Sequence, residues 1–254
     1  MAPQFAASSI REKSSIPTLL RDVFVIALIA LIVSVGLKNF LVRSFYIPSP
    51  SMERTLLVND RIMVNELVPH PFALSHGDVV VFEDPAGWLP PRAVIGKSWL
   101  MTAVDWVGVE TGLAPDDSLQ YLVKRVIGLP GDRVACCNAL GQLTVNDAPI
   151  SEPYIQLPAG QRKVSAMSFS VVVPREAFWV MGDNRYDSAD SRFHQDDPNR
   201  GFVPQSKVVG VAFAITWPFS RFGMLDSYSD EFATEGGSTS RNKSKRVSIN
   251  WRRI

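Results

Sequence analysis

Polar and apolar positions follow two regimes along this chain. From Val23 to Leu37 no residue is charged, and the run Val-Phe-Val-Ile-Ala-Leu-Ile-Ala-Leu-Ile-Val-Ser-Val-Gly-Leu is almost wholly apolar. A helix that crosses a bilayer needs roughly 18–20 such residues. The run reaches that length by continuing to Val42, with the Lys38 ammonium drawn back to the interface on its aliphatic stem. A single membrane-spanning helix is therefore expected over 23–42. A cleaved signal peptide is the competing reading, because Ser34 and Gly36 are the small residues a cleavage point uses.

Beyond Val42 the apolar positions come in short, β-branched stretches. Arg61–Asn65, Asp78–Phe82, Tyr121–Ile127, Phe169–Val173, Phe178–Met181 and Lys207–Thr216 are each bounded by Gly, Pro or Asp, and each is predicted as a strand. Leu129-Pro-Gly-Asp132 places Pro and Gly where a type II turn requires them. No long 3.6-residue period follows the apolar run, so the expected fold is a mainly β domain over 43–220 behind an N-terminal helix.

Two stretches fall outside that pattern. An insertion over 83–120 carries Trp88, Trp99 and Trp106, and loops of that length are commonly functional or disordered. Its tryptophans suit a membrane interface or a cover for the domain's own core equally well. Residues 221–254 turn polar and end with Arg241, Lys243, Lys245, Arg246, Arg252 and Arg253, which predicts a disordered basic tail.

Composition narrows the function classes. A net charge of +1 over 254 residues points away from nucleic acid as a partner. The two cysteines, Cys136 and Cys137, are neighbours, so no disulfide framework is expected. With only His70, His76 and His194, a histidine-built metal site is a weak reading, and neither a metal nor another cofactor is expected.

The chemistry-bearing stretch is Pro48-Ser-Pro-Ser-Met-Glu-Arg-Thr-Leu56. Pro48 and Pro50 fix φ, lack an N–H and push their predecessors toward extended backbone. A strand of that kind, holding Ser49 and Ser51, suits a place where another extended chain meets a hydroxyl. A serine becomes a nucleophile only beside a base. His194 with Asp196 or Asp197 would make a triad, but nothing in the spacing supports one. Lys124 lies between Leu122 and Val126 on one face of its strand, where burial would lower its pKa. Arg125 holds the other face with Tyr121, Val123 and Ile127, so alternation alone leaves open which residue faces the core.

Ser51-Met52, Gly77–Phe82, Tyr121–Asp132 and Gly182-Asp-Asn-Arg-Tyr-Asp-Ser-Ala-Asp-Ser-Arg192 resemble, in order, the boxes of the bacterial type I signal peptidases. Those are membrane-bound Ser/Lys proteases that remove signal peptides from secreted preproteins. The resemblance covers roughly residues 20–220 and implies Ser51 as nucleophile and Lys124 as general base. It implies an oxyanion held by the Ser51 N–H and the Ser49 hydroxyl. Ser188 matches the serine that orients the lysine, and Asp183, Asp190 and Arg192 match positions that shape the site. Arg54 stands where the family usually has proline, which leaves the turn after Met52 undefined.

Cleavage after small residues at −1 and −3 is the family's specificity, and Ile47, Met52 and Leu56 could floor shallow pockets for them. The implied partners are preprotein signal peptides and a lipid bilayer. Lysine and arginine flank the apolar run on both sides, so charge does not orient it. The resemblance places residues 1–22 in the cytoplasm and the catalytic domain on the outer face. Two other readings compete: a related self-cleaving repressor protease, and a non-catalytic tethered domain that binds extended peptides.

Overall fold

The computed structural model describes residues 16–90 and 121–232, except the side chains of 16–18 and 31–40. The expected N-terminal tail before residue 16, residues 91–120 of the insertion with Trp99 and Trp106, and the basic end from 233 lie outside the described residues. One long helix, α1 (Ile16–Leu41), precedes the β domain. It contains most of the expected span, and Leu20, Phe24, Ile26 and Ile29 on it are exposed. Among the described residues no helix is long and apolar enough to cross a membrane.

The strands are β1 (Val42–Tyr46), β2 (Arg61–Asn65), β3 (Val79–Glu83), β4 (Tyr121–Gly128), β5 (Arg133–Cys136), β6 (Leu143–Val145), β7 (Ala148–Pro149), β8 (Phe169–Val172), β9 (Ala177–Met181), β10 (Val203–Pro204), β11 (Val208–Trp217) and β12 (Gly223–Met224). They form a large sheet in the order β1-β2-β11-β3-β4-β9-β10, with β12 added on β11, and a small sheet in the order β7-β6-β5-β8. Every pairing between these strands is antiparallel. The domain is mainly β, as the short β-branched stretches predict.

Alternation along the strands feeds separate cores. Val79 and Val81 of β3 join Ile47, Met52, Leu56, Ile62 and Val64, while Val80 and Phe82 join Leu122, Val126 and Val180. Both faces of the large sheet are thus covered near its centre, as successive side chains on a strand point to opposite faces. A third cluster, around Trp179, Val134 and Leu143, joins the small sheet to the end of β4.

Two features differ from the sequence reading, and two more settle points it left open or did not address. The chain after α1 goes straight into an edge strand, β1, paired with β2 from Val42↔Asn65 to Tyr46↔Arg61. Residues 221–232, expected to begin a disordered tail, include β12 and a short 3-10 turn, Ser229–Phe232. Their polar composition concealed aromatic anchors: Tyr154 meets Tyr228 at 5.3 Å between ring centroids, and Phe232 stacks on His76 at 5.1 Å. Trp88 of the insertion is buried in the domain's own core, edge-on to Phe82. The adjacent cysteines Cys136 and Cys137 are joined to each other, a bridge that links no separate elements.

Candidate active site

Pro48 and Pro50 keep the chain out of regular pairing after β1, and Pro50 then opens a one-turn 3-10 helix, Pro50–Met52. Proline is tolerated at a first helical position because its missing N–H would have had no partner there. Ser51 sits second in this turn and is nearly buried, with 8% of its surface exposed. Met52 and Leu56, at 1% and 0% exposure, root the turn in the core. Arg54, in the position the resemblance left undefined, has φ of +86°, and this left-handed residue reverses the chain. Its Nη1 donates to Ile155 O at 2.7 Å.

β4 brings Lys124 to the serine turn. It is an interior strand, paired through Val80↔Lys124 on one side and Arg125↔Met181 on the other. Lys124 Nζ lies 2.6 Å from Ser51 Oγ. Neither side of the strand is solvated here, since Lys124 is 4% exposed and Arg125 0%. Alternation could not decide between the two residues because both faces are interior. Burial pulls the Lys124 ammonium down from its ordinary value to about 8, against the opposing pull of the Asp190 and Asp183 carboxylates. Desolvation disfavours a charged group, so a substantial neutral fraction exists near neutral pH.

Arg125 is held on the opposite face by a fork to Asp183, Nε to Oδ1 at 2.9 Å and Nη2 to Oδ2 at 2.7 Å. Its Nη1 donates to Gly77 O and to Asp226 O, and its guanidinium lies 4.0 Å from the centre of the Tyr154 ring. The Asp183 carboxylate also accepts from the Thr55 hydroxyl, which ties the serine turn to this pair.

The loop after β9 supplies the rest. Asp190 is fully buried and accepts from Gly182 N–H, the Ser188 hydroxyl and the Arg192 guanidinium. Its carboxyl is held below the usual range by Arg192 and by the Gly182 N–H, although burial alone would raise it. Ser188 thus faces Asp190, with its hydrogen bond at 2.9 Å, and no bond from it to Lys124 is formed. Arg185 donates to Gly182 O within the loop and pairs with Glu152, tying the loop to the segment after β7. A Cβ built on Gly182 would stand 2.2 Å from Ser188 Oγ and 2.5 Å from Ser51 O. Glycine is required there because the loop and the serine turn touch.

Ser49 Oγ lies 3.2 Å from Ser51 Oγ, so the two hydroxyls share one small space. Ile47, expected with Met52 and Leu56 to floor substrate pockets, is 2% exposed. All three belong to the core cluster that seats the turn, beneath the surface a substrate would meet. The histidines are engaged elsewhere: His76 with Asp132 at 2.7 Å, His194 with Asp197 at 2.8 Å and stacked on Trp88, and His70 beside Gln205. Thr55 and Asn184 were not singled out by sequence reasoning, and Arg125 was read only as the alternative to Lys124. The contacts that give them meaning join residues far apart in the chain, and nothing in local spacing reveals those.

A serine turn, a buried lysine and a carboxylate-rich loop are brought together on a β scaffold, an arrangement fitted to a hydrolase. Residues 20–217 match the family described as signal peptidase, peptidase S26. The chain belongs to that family. A protein from Mycobacterium tuberculosis named signal peptidase I is 37% identical over 84% of this chain and 77% of its own length. A probable signal peptidase I of Mycobacterium leprae is 36% identical over 82% of this chain and 79% of its own. A probable signal peptidase I-2 of Synechocystis is 32% identical over 81% and 77% respectively.

Proposed function

We propose that this chain is a serine endopeptidase that removes signal peptides from secreted preproteins, with Ser51 as nucleophile and Lys124 as general base. The observation that carries the reading is the 2.6 Å approach of Lys124 Nζ to Ser51 Oγ inside a buried site. Neutral amine takes the serine proton as Oγ attacks the scissile carbonyl, and the ammonium returns a proton to the departing amine. The Ser51 N–H and the Ser49 hydroxyl receive the charge that develops on the carbonyl oxygen. Asp183, Asp190, Arg192 and Ser188 act as positioning residues through the loop. Small residues at −1 and −3 of an extended substrate fit a serine that sits low among its neighbours.

The same proposal gives α1 the role of a single membrane anchor. Its 26 residues span about 39 Å at 1.5 Å per residue, which exceeds the hydrocarbon thickness of about 30 Å. The apolar run Val23–Leu37 lies within it, and residues 43–220 would face the outside. Detergent-solubilised protein incubated with a preprotein should release a fragment whose sequenced N-terminus follows a small residue. A Ser51→Ala protein that cut equally well would sink the dyad. Protease added to intact spheroplasts should degrade the β domain, and full protection would refute the orientation.

A further inference from the structure

Asn184 makes three contacts with the serine turn, and together they bracket Ser51. Its backbone N–H donates to Ser51 O at 3.1 Å. Its side-chain Nδ2 donates to Pro50 O at 3.3 Å and to Glu53 Oε2 at 3.4 Å. Both side-chain partners are acceptors, so the amide can satisfy them only with its nitrogen turned toward the turn.

Peptide units are planar and trans, so the Pro50 carbonyl and the Ser51 N–H point in opposite directions across one rigid plane. Whatever holds Pro50 O therefore aims the Ser51 N–H. Pro50 O is held twice, by the Glu53 N–H at 2.9 Å and by Asn184 Nδ2. The first bond is internal to the turn and cannot orient the turn within the molecule. The second fastens it to a loop that is itself fixed by the buried Asp190–Arg192 and Arg185–Glu152 pairs. The following plane is fastened through Ser51 O to the Asn184 N–H.

We infer that Asn184 is a positioning residue that aims the Ser51 N–H at the oxyanion of the reaction, by gripping both peptide planes that flank the nucleophile. The inference rests on the Ser51/Lys124 reading. Asn184 bonds neither Lys124 nor the Ser51 hydroxyl, so its side chain acts on the oxyanion donor and not on proton transfer. Such a donor is effective only when its direction is fixed before charge develops.

The test is Asn184→Ala, which keeps the backbone N–H and removes the amide. Cleavage of a preprotein should fall about tenfold in kcat with KM nearly unchanged, because Glu53 N–H still holds Pro50 O in part. A peptide aldehyde, which forms a tetrahedral adduct with an oxyanion, should lose affinity by a similar factor. A non-reactive peptide of the same sequence should bind as before. The pH at which half the activity is reached should not move, whereas general loosening of the loop would shift it through Lys124. Should the alanine protein fail to accumulate, Asn184→Leu keeps about the size and the backbone N–H, has no amide donor and adds no charge, and its losses in kcat and aldehyde affinity are read in the same way. Unchanged kcat and aldehyde affinity, or equal losses for aldehyde and non-reactive peptide, would overturn the inference. Neither outcome touches the dyad, which fails only if Ser51→Ala or Lys124→Arg stays active.

Discussion

Lys124 and Arg125 are neighbours with opposite electrostatic duties. The arginine stays charged because Asp183 is forked onto it, and the lysine lies near the point of losing its proton because burial disfavours its charge more than the Asp190 and Asp183 carboxylates favour it. On the proposed dyad a free amine is the competent form, so the cleavage rate should climb as pH rises through about 8 and then level off. Initial rates on one preprotein over a range of pH check this, and a rate flat across that range would exclude a lysine base. Lys124→Arg should be inactive, since a guanidinium cannot accept the serine proton. Asp190 is among the charges that hold the lysine pKa up, so Asp190→Asn should move the rise in rate to lower pH. It should also destabilise the fold by about 3–5 kcal/mol, because it leaves Arg192 buried without its carboxylate. Denaturant unfolding gives the second quantity. A profile displaced to higher pH would contradict the arrangement described.

At the scale of elements, the interior strands were legible because β-branched runs bounded by breakers have few other uses. β2 has the expected bounds, and β3, β4, β8, β9 and β11 lie within one residue of the expected ones at each end. Of the small sheet only its edge strand β8 was legible. β5, β6 and β7 are two to four residues long and set among Asn, Gly and Cys, so no alternation has room to develop. β1 was concealed by following the apolar run directly. The serine turn and its lysine could be read through motif resemblance, but not the loop that grips them, whose contacts span more than a hundred residues of chain. The Gly182 seat shows how close that grip is. Gly182→Ala should cost about 1–3 kcal/mol through overpacking and reduce acylation more than substrate binding. An alanine protein of wild-type stability and rate would mean that loop and turn are not packed as described.

For the whole molecule, the C-terminal stretch acts as a strap. Leu225 N–H bonds Phe213 O, and Asp226 O caps Arg125. Ser227 O passes so near Gly77, which has φ of +80°, that any side chain there would collide with it. The strap therefore closes over the carboxylate–guanidinium pair behind the site. Two truncated proteins separate this contribution from that of the basic end. A chain stopped after Phe232 should melt close to wild type, and one stopped after Leu225 should melt several degrees lower and lose activity. Equal melting temperatures would deny the strap its role. Composition pointed the other way because the few aromatic residues that anchor it are diluted among Ser, Asp and Glu.

The interior placement of β4 also bears on how the protein is made. Before the strand is seated between β3 and β9, Lys124 is an ordinary hydrated lysine with a pKa near 10.4. At neutral pH roughly one chain in 2,500 would then carry the free amine, against roughly one in ten at a pKa of about 8. On the proposed dyad, a chain whose sheet has not closed thus holds an unarmed serine. On that reading closure of the sheet is what arms it, so the same strand order that builds the core also times the chemistry.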